Sequence, residues 1–139
     1  MTPFFEFDID IDWAGTSDLR SPDGSVTVIP FTGRVESPLF TGSIRPGAAD
    51  VQTEKPGQPR VLSARYLFRG TDGEGKPCSL YVENVGTLDG ASGLIRAVPS
   101  FLTDSDMLRA ALKDRKFVSE VRGREGGVRI LIYDITEQG

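Results

Sequence analysis

Phe5-Glu6-Phe7-Asp8-Ile9-Asp10-Ile11-Asp12-Trp13 puts a large apolar residue at every odd position and an acid at every even one. Side chains of an extended strand project alternately to its two faces, so this period of two predicts a strand with one buried and one wet face. The acids read as a solvated ladder and as a guard against edge-to-edge pairing. The same acids open like an EF-hand calcium loop, but Trp13 stands where that loop needs Gly and Leu19 where it needs Glu.

Short extended stretches bounded by turn signals continue outward from this strand. Ser21-Pro22-Asp23-Gly24 is a turn by composition, residues 26–31 read as a strand, and 33–45 as a further extended stretch broken near Pro38. Pro46-Gly47 signals a type II turn, followed by a polar loop over 48–59 with a short strand around Val51. Residues 60–69 carry Leu62, Ala64, Tyr66 and Phe68 on one face; a turn over 70–77 leads to a strand over 78–85, and 94–101 is strand-like as far as Pro99. The one helix signal starts at Thr103-Asp104-Ser105-Asp106, with Met107, Leu108, Ala111 and Leu112 at helical spacing and an end near 114–116. Residues 117–122 and 128–136 then form two strands around a glycine-rich turn, the last one apolar on both faces and so expected in a central position. The expectation is an all-β chain: one antiparallel β-barrel of about eight or nine strands over residues 1–139, with one short helix in the C-terminal third.

Composition removes many functions. At 139 residues with 38% hydrophobic content the chain reads as a single globular domain. A net charge of −4 with no basic run argues against nucleic acid and against anionic membrane surfaces. No apolar run is long enough to span a bilayer, and the acidic N-terminus is unlike a signal peptide, so a cytoplasmic location is expected. The chain has no histidine and a single cysteine, Cys78, which rules out a Ser-His-Asp triad, a Cys-His pair, a Cys/His zinc site and an internal disulfide. No metal and no cofactor are expected.

Residues 70–77 nearly match a phosphate-binding loop, but Pro77 replaces its Ser/Thr and a strand follows it, so a hairpin turn is the better reading. Ser92 in Gly90-Ala91-Ser92-Gly93 lacks the histidine and the strand–helix context of a nucleophile elbow. Cys78 reads as a small buried hydrophobe. Arg122, Arg124 and Arg129 are interleaved with Glu120 and Glu125 and read as a mixed surface. The remaining candidates are Asp50, Arg65, Tyr66, Tyr81 and Asn84, polar groups beside apolar strand positions or in the loop after Pro46-Gly47. Alternation allows only one of Arg65 and Tyr66 to face a lumen, and only one of Tyr81 and Asn84.

At these residues the chain resembles the bacterial and fungal family of domain of unknown function 3237. The matching pieces are Ile29-Pro30, Thr32-Gly33, Gly42, Pro46-Gly47, Ala49-Asp50, Gln52, Ala64-Arg65-Tyr66, Asp72-Gly73, Tyr81-Val82-x-Asn84-x-Gly86, Pro99, Phe101, Phe117-Val118 and Ile132-Tyr133-Asp134. It departs from the family pattern at Val51 and Ile95, where aromatics are common. The resemblance implies a compact β-barrel with a central cavity and implies no reaction. Three functions stay open. The first is a barrel binding a small organic ligand, with Arg65 favouring a carboxylate on it. The second is a cofactor-free enzyme of isomerase, cyclase or lactone type, with Asp50 as base and a tyrosine as acid. The third is a structural domain. Self-association is expected of an exposed β-surface, with no subunit number implied.

Overall fold

The computed structural model describes residues 2–88 and 95–138. Ser92 and Leu94, the predicted start of one strand, lie outside them. The alternating stretch forms β1 (Phe5–Ile11), with Phe5, Phe7 and Ile9 buried. β2 (Ser17–Ser21), β3 (Gly24–Glu36), β4 (Phe40–Ile44) and β5 (Ala49–Glu54) follow. The long hairpin of β6 (Arg60–Asp72) and β7 (Pro77–Leu88) leads to β8 (Ile95–Thr103), the helix α1 (Asp106–Leu112), β9 (Phe117–Arg124) and β10 (Gly127–Asp134). A short 3-10 turn (Thr136–Gln138) ends the described chain.

All ten strands belong to one antiparallel sheet that closes on itself through β1, which pairs with β10 on one edge and β3 on the other. Ten strands occupy eight lanes. β1 and β2 run in succession along one edge of β3, and β4 and β5 along the other, where they also meet β6. On the first edge β3 changes partner between Val28 and Phe31, from β2 to β1, and on the second between Pro30 and Arg34, from β5 to β4. β3 is therefore one continuous strand through Pro30, where the sequence suggested two.

Closure corrects the reading of the acidic ladder. β1 has a strand on each side, so it is no edge and needs no guard. Its acids are matched by arginines from β3 and, across β10, from the end of β9. Arg34 meets Asp8 at 2.6 Å, and Arg124 meets Asp8 at 2.7 Å and Asp10 at 2.6 Å. Such partly exposed pairs contribute about 0–1 kcal/mol each. Arg122 and Arg129 are likewise taken up by Glu120 and Glu6. Trp13 departs from the alternation as well. The chain turns at Asp12, whose carboxylate accepts from the Gly15 amide, and Trp13 is left 64% exposed. β8 continues through Pro99 to Thr103 and touches β9 by a single backbone bridge, Ala97 to Ser119, so most of its far edge is unpaired and tolerates proline.

The barrel is filled at one end and hollow at the other. Phe7, Phe68, Phe40 and Tyr66 interlock at the filled end, with ring centroids 4.9 Å apart for Phe7–Phe68 and 6.1 Å for Phe40–Phe68. Truncating a fully buried ring such as Phe7 to Ala costs about 3–5 kcal/mol. Across β4 and β6, Gly42 faces Gly70, and a Cβ on Gly70 would collide with the Thr41 carbonyl. Leu108 of α1 plugs the filled end. The helix is held there by Ser105, its N-cap, whose Oγ accepts from the Leu108 amide at 3.1 Å and donates to Asp72 Oδ2 at 2.7 Å. The other oxygen of Asp72 accepts from the Glu74 and Lys76 amides of the β6–β7 turn. The loop that resembles a phosphate cradle is thus a hairpin turn closed on its own aspartate. Cys78 is buried beside it. No helix among the described residues is long and apolar enough to cross a membrane.

Asp72 is held below the usual carboxylate range, first by the Ser105 hydroxyl, and Asp134 is held at about 2, first by the Thr136 hydroxyl with Arg115 adding to it. A folded-state pKa below the unfolded one stabilises fully above the unfolded value of about 3.9 and is lost as pH falls through the folded value. Thermal melts between pH 5 and 2 should therefore steepen downward below about pH 4. Asp72→Ala should lower the neutral-pH melting temperature by about 3–10 °C and flatten that acid limb. An unchanged limb in the variant contradicts the role given to Asp72.

Candidate functional site

The hollow end encloses a cavity of about 260 Å³. Its walls are apolar: Ile9 and Ile11 of β1, Ile29 and Phe31 of β3, Leu62 and Ala64 of β6, Val121 of β9, and Val128 and Ile130 of β10, with Trp13 at the mouth. Small side chains create the space. Ala64 and Ala97 line it where the filled end has Phe68, Leu80 and Val82.

Three polar residues enter this apolar chamber: Asp50, Gln52 and Asn84. Asp50 on β5 stands opposite Ala64 on β6, which stands opposite Asn84 on β7, so the three share one row of the inner face. Gln52 follows Asp50 by two residues on the same face. Its Nε2 donates to Asp50 Oδ2 at 2.8 Å, and its Oε1 accepts from Arg60 Nε at 2.9 Å. The guanidinium is itself anchored to Glu54. This chain of hydrogen bonds fixes the plane of the carboxylate. Asn84 Oδ1 accepts from Ser119 Oγ at 3.0 Å, with the Ala97 carbonyl also near that hydroxyl at 3.3 Å, which ties β7, β8 and β9 together where the backbone ladder is thin.

Tyr66 lies two residues after Ala64 on the same face, one layer deeper. It is 2% exposed, and its ring packs edge-on against cavity-lining Phe31 at 5.2 Å. Two buried polar atoms here have no hydrogen-bond partner among the described residues: Asp50 Oδ1 and the Tyr66 hydroxyl. Leaving such a group unpaired costs about 1–3 kcal/mol, which makes two in adjoining layers unusual. Burial raises the Asp50 pKa above the ordinary aspartate value; Gln52, the nearby Ser63 amide and Arg60 oppose this only in part. Burial also pushes the Tyr66 hydroxyl far above the normal phenol value, and the Asp50 charge adds to that shift.

The structure thus divides the five candidates read from sequence. Asp50 and Asn84 line the cavity, and Tyr66 is buried one layer deeper, behind the outer depression. Arg65 and Tyr81 sit on the outer wall, where Arg65 pairs with Glu83 at 3.2 Å and the Tyr81 hydroxyl donates to the same carboxylate at 2.9 Å. Both flank a separate outer depression of about 200 Å³ beside the Pro46-Gly47 turn. Gln52, Arg60 and Ser119 escaped the sequence reading. The short strand expected around Val51 runs over six residues, and the spacing of Asp50 and Gln52 was the available signal for a shared face.

Comparison with known proteins bears on the fold. A family model described as a protein of unknown function (DUF3237) matches residues 1–97, which include the strands that carry Asp50, Gln52, Tyr66 and Asn84. A UPF0311 protein of Clostridium acetobutylicum is 36% identical over 78 residues, or 55% of this chain and 47% of its own length, so the match spans about half of that relative. Two crystal structures of proteins of unknown function superpose with TM-scores of 0.74, one from Clostridium acetobutylicum (24% identity, 95% of this chain and 93% of that one) and one from Rhodopseudomonas palustris (22%, 96% and 95%). A β-barrel-like protein of Acinetobacter baumannii does so at 0.69 (19% identity, 96% and 93%). At such identities these structures speak to the fold alone.

The raised Asp50 pKa carries a stability consequence. A carboxyl whose folded pKa lies above its unfolded value is a burden to the folded state that is absent at low pH and grows as pH rises through the folded pKa. Asp50→Asn should therefore raise the melting temperature by about 2–4 °C at pH 7, with the advantage gone near pH 4. A lower melting temperature at neutral pH means that the ionised carboxylate is a structural anchor.

Proposed function

The chain belongs to the family of proteins of unknown function DUF3237, and from that premise, which specifies no reaction, we propose that its barrel binds a small neutral organic ligand in the hollow end. The observation that carries this is a cavity of largely apolar walls with three polar side chains, Asp50, Gln52 and Asn84, in its lining. A carboxylate accepts a hydrogen bond, and a side-chain amide both donates and accepts. A ligand group that can donate or accept, such as a hydroxyl or a carbonyl, suits this set. The apolar walls then bury the ligand body, in the arrangement usual for small-molecule sites.

Volume and charge narrow the class. A cavity of about 260 Å³ is at the small end of ligand pockets. It holds about the space of nine waters at liquid density, enough for one or two fused rings. Arg65 points away from the lumen and no cationic side chain is among the described residues that line it, so an anionic ligand would meet Asp50 with no counter-charge. This favours a neutral ligand over the carboxylate that a lumen-facing Arg65 would have suited. A hollow chamber also favours binding over a filled structural barrel.

Calorimetric titration tests the proposal. The neutral bicyclic ketone 2-tetralone should bind at least about 10-fold more tightly than 2-naphthoate at pH 7. Emission from Trp13, the sole tryptophan, should respond on binding, since it stands at the mouth. Ala64→Leu should abolish binding by filling the space between Asp50 and Asn84, and Arg65→Ala should leave affinity within about twofold. Binding that survives Ala64→Leu, or a preference for 2-naphthoate that Arg65→Ala removes, contradicts this reading and points to the outer wall.

A further inference from the structure

Among the described residues that line the hollow end, Asp50 alone is ionisable; the rest are the amides Gln52 and Asn84 and walls of hydrocarbon. Asp50 is only partly buried. The groups that face it are few. On its own strand, Gln52 donates to Oδ2, and Glu54 lies further along, paired with Arg60. On β6, the Ser63 amide donates to the carboxylate, Arg60 holds Gln52 and adds its charge, and Tyr66 lies behind as a neutral phenol. β3 sets Ile29 opposite Asp50, β7 offers the uncharged Asn84, and β1, β9 and β10 contribute only hydrocarbon to the chamber. Gln52, Ser63 and Arg60 favour the ionised form, but burial opposes them and prevails. A ligand with a hydrocarbon body takes water away from this layer and brings no charge, so it adds to burial alone. Arg60 cannot compensate from within the chamber, because it is tied to Gln52 and Glu54 and is not part of the lining. A carbonyl on the ligand acts in the same direction. It only accepts hydrogen bonds, and a carboxyl has a hydrogen to give only when protonated.

We propose that loading of the hollow end is coupled to proton uptake by Asp50, so that the barrel holds a neutral carbonyl ligand with this carboxyl uncharged and releases it as the carboxyl ionises. This coupling rests on the hollow end being the ligand site. The proton comes from solvent on loading and returns to it on release. Linkage fixes the sign. The loaded barrel keeps the proton on Asp50 to a higher pH than the empty one. Affinity is therefore greatest at low pH, where Asp50 is protonated in both states. It falls as pH rises through the interval between the two transitions and levels off above the later one. Gln52 and Arg60 act on the ligand only through the carboxyl. By favouring its charged form they lower the pH at which the ligand is released.

Calorimetric titration of the full chain with 2-tetralone between pH 4 and 8, in pairs of buffers that differ in ionisation enthalpy, tests this. The part of the heat that changes with the buffer counts the protons taken up per ligand. The wild type should lose about 10-fold or more in affinity as pH rises, with an uptake of about half a proton or more in the middle of that fall. Asp50→Asn should take up no proton, and its affinity should stay within about twofold over the same range. Arg60→Gln, which removes the nearest cation and leaves the lining intact, should carry the fall in affinity to higher pH. A loss of folded protein does not produce that shift. Heats independent of buffer at every pH in the wild type overturn the coupling and leave the binding site standing. Proton uptake that persists in Asp50→Asn, or a fall in affinity that Arg60→Gln leaves in place, does the same. Failure of the wild type to bind 2-tetralone at any pH removes both.

Discussion

Alternation of side chains in a sheet that closes on itself leaves each strand residue two destinations, the lumen or water. The whole arrangement follows from it. Phe5, Phe7 and Ile9 are driven inward and the acids between them outward, where arginines from β3 and β9 meet them. The same rule sends Tyr66 in and Arg65 out, and Asn84 in and Tyr81 out. Because the sheet is closed, everything sent inward shares one narrow space, and the sizes of those side chains decide whether it is filled. Aromatic rings fill one end. Alanines on β6 and β8 leave the other end open.

This division also separates stability from function. The filled end has matched partners: stacked rings, a helix cap that shares its hydroxyl with Asp72, and a hairpin turn closed on the same carboxylate. The hollow end has an apolar wall broken by Asp50, one of whose oxygens lacks a hydrogen-bond partner among the described residues, and the unpartnered Tyr66 hydroxyl is buried one layer below. Local rules that are broken without local compensation concentrate where a protein does its work. Here the layer of Asp50 is tied to the rest by the Arg60–Gln52 chain on one side and the Ser119–Asn84 contact on the other.

What the sequence made legible tracks how regular the local pattern is. The period-two run of β1, the cap before α1, the β6–β7 turn and the central place of β10 could all be read, because one face or one cap decides each. Family resemblance pointed to the same closed barrel with a cavity. β2 escaped because every residue in it is exposed, so it has no buried face to create a period. β5 was read only as a short strand within a polar loop because its inner face is polar: Asp50 and Gln52 occupy positions where an ordinary core strand has apolar residues. The sharing of lanes by β1 with β2 and by β4 with β5 is set by pairing at long range, which no local window reports. In the site, alternation correctly allowed one of each adjacent pair inside but could not choose which. Arg60 and Ser119 were missed because their partners come from other strands, and Gln52 because its face could be assigned only together with that of Asp50.

The site depends on Asp50 being a buried carboxyl of the cavity lining, one of whose oxygens lacks a hydrogen-bond partner among the described residues. This is tested most directly by carbon-13 NMR titration of protein labelled at the aspartate carboxyl carbons, with Asp50→Asn identifying the resonance. The account predicts that Asp50 titrates above the surface aspartates and that its resonance moves when a neutral ketone enters the barrel. A resonance that titrates with the surface aspartates and ignores the ketone would contradict it, since the carboxyl would then be solvated or fully partnered.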